Sequence, residues 1–226
     1  MNWVLDNLGL IGELTVDHLR QSAIAIVAGF VVSIPLGWAA WRFTRFRGPV
    51  LVIVSLLYTI PSFGMFALIT AVLGIPFLVE LNLIVALTIY AVAIMTRSVA
   101  DGLDAVDPTT REAAVAIGYG PWRRFWTVDF PLAGPVLLAG LRVTAVSTIS
   151  LATVGALIGI RNLGYLFTNG AQRQIIAEVV AGVVAVVIVA LIIDLLLVIA
   201  GRLLMPWQRA ATARDRAARA PRAVTT

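Results

Sequence analysis

Long charge-free apolar runs alternate with short clusters of charge along this chain. Between Arg20 and Arg42 lie 21 uncharged residues, Gln21 to Trp41. At about 1.5 Å rise per residue a helix of that length covers the ~30 Å hydrocarbon core of a bilayer. The next run, Gly48 to Val79, has 32 residues and carries Pro61 inside Tyr58-Thr-Ile-Pro-Ser-Phe63, which predicts one kinked helix followed by a short external loop. Leu81 to Thr96 is only 16 residues, but Arg97 can snorkel and let the helix run to about Ala100. A fourth segment extends from about Pro135 to Ile158 with Arg142 inside it, and a fifth from about Glu178 to Leu204 with Asp194 inside it. The pattern predicts an all-α polytopic membrane protein with five transmembrane helices.

Residues 1–19 hold Trp3, Leu5, Leu8, Leu10, Ile11 and Leu14 among acidic residues, too short and too charged to span, which predicts an N-terminal interfacial segment. Residues 20–205 form the expected transmembrane domain. Residues 206–226 are rich in Arg and Ala without apolar periodicity, as in a solvated or lipid-surface cytoplasmic tail. No internal repeat is visible, which argues against one chain built from inverted halves. The first basic residue is Arg20, so no cleavable signal peptide is expected.

Composition agrees with a membrane location: 60% of residues are hydrophobic, 13% are charged, and the mean hydropathy is +0.97. All 17 cationic side chains are Arg, there is no Lys and no Cys, and His18 is the single His. A P-loop needs its Lys, thiol chemistry and Zn–thiolate sites need Cys, and a His-clustered metal site needs a second His. The sequence therefore predicts a non-enzyme with no metal site and no ATP-binding motif of its own. A net charge of +5 and a pI near 10.7 would suggest nucleic acid in a soluble protein. Here they matter through the positive-inside bias. With the N-terminus outside, 13 Arg fall on the inner side and three, Arg20, Arg161 and Arg173, on the outer, with Arg142 inside a span. An N-out, C-in topology is expected, and nucleic acid is not an expected partner.

The inner loop between the third and fourth spans is the longest polar stretch inside the membrane domain. Asp107-Pro108 is a helix start, with Asp as N-cap and Pro at the first helical position, and the helix ends at Gly118. Gly120-Pro121 restarts a second helix, Trp122-Arg-Arg-Phe-Trp-Thr-Val, expected to end before Pro131. Residues 107–130 thus predict an elbow on the inner face, which could equally rest on lipid headgroups through its Arg and Trp side chains.

Glu112-Ala113-Ala114, Gly118, Phe125 and Phe130-Pro131-Leu132 resemble the "EAA" signature of permease subunits of binding-protein-dependent ABC importers. Gly118 follows the second Ala by four residues, and Pro131 follows Gly118 by thirteen. The resemblance implies that Glu112, Ala113, Ala114 and Gly118 seat the elbow in a groove of a cytoplasmic ATPase. Small Ala residues allow close approach, Gly118 allows a sharp turn, and Glu112 can pair with a basic residue of the partner. Ile34-Pro35-Leu36-Gly37 after His18-Leu-Arg, Tyr58 to Phe63, Gly102 to Pro108, Leu138 to Arg142 and Ala156 to Gly159 are similar to the osmoprotectant branch, which imports glycine betaine, choline, carnitine or proline betaine. Methionine-type and other amino-acid importer permeases share the five-helix plan and stand as the alternative; an ion-coupled secondary transporter would have no use for the elbow. Where the osmoprotectant branch typically reads Gly-Ala-Gly-Gly-Leu-Gly, this chain has Gly159-Ile-Arg-Asn-Leu-Gly164, so Arg161 and Asn162 replace two small residues in an outer loop.

By the same resemblance the partners are an ATP-binding subunit dimer holding ATP and Mg²⁺, a second permease subunit of the same or a related chain, and an extracellular or periplasmic substrate-binding protein. This chain itself is expected to hold no cofactor. A quaternary ammonium cargo has no N–H to donate, so aromatic faces can guide it. Tyr58, Phe63 and Phe66, around Pro61 and Ser62, are the candidates to line such a path, or else pack against neighbouring helices. Arg142 and Asp194 fall at similar depths on antiparallel helices and are expected to pair, within a subunit or across a dimer, or to meet water separately.

Overall fold

A computed structural model describes residues 2–207, and every regular element in them is helical. The Arg-rich tail beyond Trp207 lies outside the described residues. A short helix α1 (Asn2–Asp6) leads into α2 (Leu8–Arg42). Helix α2 begins well before Gln21, so most of the segment expected to lie along the interface is continuous with the first span. Glu13 and Asp17 pair with Arg161 and Arg20 and give α2 no reason to stop. Glu13 accepts a 2.9 Å bond from Arg161, while Leu14 and His18 on the same helix are buried, His18 with its Nε2 3.0 Å from the Ile149 carbonyl oxygen.

The second passage is two helices, α3 (Thr44–Thr59) and α4 (Ser62–Leu73), meeting at a bend of 112° instead of forming one kinked helix. Pro61 disfavours the helical conformation for the residue before it, and Ile60 is extended at φ −66°, ψ 127°. The carbonyl freed at Ile60 accepts a 2.6 Å hydrogen bond from the Tyr90 hydroxyl, so the break leaves that acceptor satisfied.

Helix α5 (Glu80–Asp104) is the core of the bundle, buried by α2, α8 and the α3/α4 pair. Lipid tails are as apolar as the helices, so close contact at small residues holds spans together. Gly29 lies on Ala91, Gly37 on Thr96 and Val99, and Gly140 on Ser98.

After α5 the chain forms α6 (Pro108–Ala116) and α7 (Pro121–Arg124), then a π turn (Phe125–Asp129) that runs directly into α8 (Phe130–Ala152). The second elbow helix therefore does not end before Pro131; it continues as the fourth span. In the π turn the Phe130 N–H bonds to the Phe125 carbonyl five residues back. This widened turn precedes Pro131, whose ring would crowd the carbonyl four residues behind it in a regular helix.

A 3₁₀ segment (Thr153–Ile158) and α9 (Gly164–Gln172) lead to α10 (Ile176–Leu204), whose Val, Leu and Ile side chains are largely exposed, as in a helix that faces lipid. The described residues thus contain four unbroken helices long and apolar enough to cross a membrane plus the broken pair, or five passages. Trp38, Trp41, Leu103 and Phe130 mark the end of the bundle that carries the elbow. Gln21, Glu80, Asn162 and Glu178 mark the far end.

Candidate functional site

The elbow is specified locally. Asp107 Oδ1 accepts 2.8 Å bonds from the Thr109 backbone N–H and from its hydroxyl, and Pro108 occupies the first turn. Those two bonds, the backbone one foremost, hold the Asp107 carboxyl below its ordinary value. At the other end Gly118 adopts φ +88°, in the left-handed region. Its N–H bonds to Val115 and that of Tyr119 to Ala114, the paired closure that ends a helix sharply. Glu112, Ala113 and Gly118 face outward, but Ala114 is buried against the bundle, where its small size lets α6 lie close. Ile117 and Trp122 are 75% and 73% exposed, and Val115 is also exposed, so the elbow presents an apolar face with one acid beside it. Such a patch on the polar side of a protein marks a contact surface.

Long-range contacts brace the elbow from behind. Asp129, at the end of the π turn, is 1% exposed. Its Oδ1 accepts from Arg111 Nε of α6 at 3.0 Å and its Oδ2 from Arg124 Nε of α7 at 3.1 Å. Arg111 also donates to the Leu103 carbonyl near the end of α5, and its guanidinium lies 4.9 Å from the centre of the Trp41 ring near the end of α2. Phe125 is buried beside this cluster with its ring 6.4 Å from that of Trp38. The sequence reading did not single out Asp129; its one signal was a lone acid in a basic, aromatic helix.

The aromatic candidates separate. Tyr58 is exposed, meets Tyr90 edge-on at 5.8 Å, and lines a groove between α3 and α5 with Ser55, Arg97, Ser98 and Asp101. Pro61 is the break and Ser62 the first residue of α4. Phe66 is buried and packs against Phe63 and Phe77, leaving Phe63 as the exposed member of that trio. Ser55, Arg97, Ser98 and Asp101 were not among the sequence candidates. Polar and charged groups facing hydrocarbon are costly, so their clustering beside Tyr58 marks a wet or partnered surface.

Arg142 of α8 and Asp194 of α10 are brought together in a two-pronged bond, Nε to Oδ1 at 2.6 Å and Nη2 to Oδ2 at 2.7 Å. At the far end, Asn162 is fully buried. Its amide donates to the Ala152 carbonyl at 2.8 Å and to Gln21 Oε1 at 3.2 Å, and its oxygen accepts from the Gly164 N–H. Gln21 in turn donates to Glu80 and to the Arg161 carbonyl.

The described residues thus form a five-passage bundle with a broken second passage and a braced elbow whose exposed face is apolar. Residues 25–210 match the family described as binding-protein-dependent transport system inner membrane component, and the chain belongs to that family. It is 33% identical over 172 residues to the osmoprotectant import permease protein OsmW of Salmonella typhimurium, covering 75% of this chain and 80% of that one. It is also 33% identical over 198 residues to the choline transport system permease protein OpuBB of Bacillus subtilis, covering 86% and 90%. In fold it is similar to a chain of the inward-facing MetNI methionine ABC transporter, with a TM-score of 0.79 at 20% identity over 88% of this chain and 98% of that one. The protein is a multi-pass permease subunit of the cell membrane, of a kind that works with an ATPase and a substrate-binding protein.

Proposed function

We propose that this chain is the translocation subunit of an importer for quaternary-ammonium osmoprotectants: glycine betaine, choline, carnitine or proline betaine. The cargo named for the relatives from Salmonella typhimurium and Bacillus subtilis supports that class, whereas the likeness to the methionine transporter is one of fold. The chain lies N-out and C-in, so the elbow meets the cytoplasmic ATPase dimer, which binds ATP and Mg²⁺. Glu112, Ala113 and Gly118 contact that ATPase. A second permease subunit, of the same or a related sequence, completes the path. Tyr58 and Phe63 offer ring faces to a cation that has no N–H.

The observation that carries the coupling role is the outward turn at Gly118 between two exposed apolar side chains, Ile117 and Trp122. A Cβ at φ +88° is strained by about 1–2 kcal/mol, so Gly118→Leu alters the turn while the spans are untouched. In proteoliposomes holding the permease, ATPase and binding protein, Gly118→Leu and Glu112→Lys should insert normally and lose cargo-stimulated ATP hydrolysis. Normal stimulated hydrolysis and uptake in both variants would defeat the coupling role, and uptake of methionine in place of glycine betaine would defeat the cargo.

A further inference from the structure

Resting on the reading of the elbow as the ATPase contact, we propose that Asp129 is a positioning residue that converts displacement of the elbow into displacement of the spans. A coupling surface does nothing unless it is stiffly joined to what must move. Aromatic packing also attaches the elbow, with the Phe125 ring against Trp38 of α2 and Phe130 of α8, and such contacts resist separation but allow rings to slide. Asp129 adds direction. Its two oxygens hold two guanidiniums from different elbow helices, and Arg111 carries the connection on to the ends of α5 and α2. Charge-assisted bonds with fixed geometry, away from water, keep their length when one partner is pushed.

The π turn places the carboxylate there. Phe125 and Asp129, at its two ends, are both buried although Trp126 and Thr127 between them are exposed. A π turn is rarely kept without a use, because its hydrogen bonds are poorer than those of the α-helix it interrupts. Here it turns one acid toward two Arg residues at the point where the elbow becomes the fourth span. Arg47, paired with Asp101 and Asp104, ties α3 to α5 at this same end, so all the helices that surround the Tyr58 groove are within one linked set.

The test uses the complete complex in proteoliposomes and reads cargo molecules imported per ATP hydrolysed, a ratio that a loss of folded protein leaves unchanged. In Asp129→Asn complexes that still bind the ATPase, the ratio should fall tenfold or more, with Asp129→Glu restoring most of it. Arg111→Gln leaves Asp129 paired with Arg124 and should lower the ratio severalfold; it also serves where the Asp129 variant does not fold. An unchanged ratio in the folded variants, whether both rates are normal or fall in parallel, overturns the proposal. Retained ATPase binding distinguishes these outcomes from failure of the elbow reading, which Gly118→Leu tests separately.

Discussion

A carboxylate on one span and a guanidinium on another are tolerable in an apolar setting only as a pair. Arg142 and Asp194 meet this condition with two parallel charge-assisted bonds. Exchanging them preserves the pair with its sign reversed. Arg142→Asp or Asp194→Arg alone should lower membrane-inserted yield and uptake severalfold, and the double exchange should recover most of the loss. A double variant that transports no better than either single one removes the pair from any account of stability. Asp129 differs in serving two cations, so at that position no simple exchange restores the balance.

At the level of elements, packing of α2 on α5 depends on missing side chains. A Cβ on Gly37 would lie 2.8 Å from the Thr96 carbonyl oxygen and would collide with the Val99 side chain. Backbone cannot yield as a flexible side chain can. Forcing extra bulk into a packed interface costs about 1–3 kcal/mol, and Gly37→Leu should shift purified protein from a monodisperse species to aggregate, by size-exclusion chromatography. Gly120→Ala, where nothing lies within 4 Å, is the matched control and should behave as the parent does. The break at Pro61 is the other element-scale feature. Proline explains why a helix stops there, but the 112° angle also needs Tyr90, thirty positions along the chain, to receive the Ile60 carbonyl.

Across the whole molecule, the two ends are held by different chemistry. The elbow end combines aromatic packing with buried ion pairs, whereas the far end adds to its exposed ion pairs, Arg20–Glu80 and Arg161–Glu13, a buried amide network in which Asn162 joins the end of α8 and the start of α9 to α2. Asn162→Gly removes the amide and deletes three hydrogen bonds. At about 1 kcal/mol per bond and roughly 2–4 °C per kcal/mol for a chain of this size, the melting temperature in detergent should fall by several degrees. An unchanged melting temperature would mean that the loop is held by its backbone alone. Loosening that end leaves Asp129 and its partners intact, so the ATPase should still co-purify.

The sequence by itself determined the membrane class, the five passages, the Asp-Pro start of the elbow and its turn at Gly118. These are local: charge-free length against bilayer thickness, an Asp-Pro start and a Gly stop act within a few residues of where they stand. It also placed Arg142 and Asp194 at matching depths, because rise per residue is constant along a helix. The tertiary structure decided the rest. It continued α2 back to Leu8, made the second passage a right-angled break, carried the elbow through Pro131 into α8, and turned Ala114 inward while Glu112 and Ala113 stayed out. It brought Asp129 to Arg111 of α6 and Asn162 to Gln21 of α2, residues 18 and 141 positions apart in the chain. No periodicity of 3.6 encodes such pairings. They arise only when helices chosen for their apolar length pack and bring polar groups distant in the chain against one another where lipid and water are both excluded.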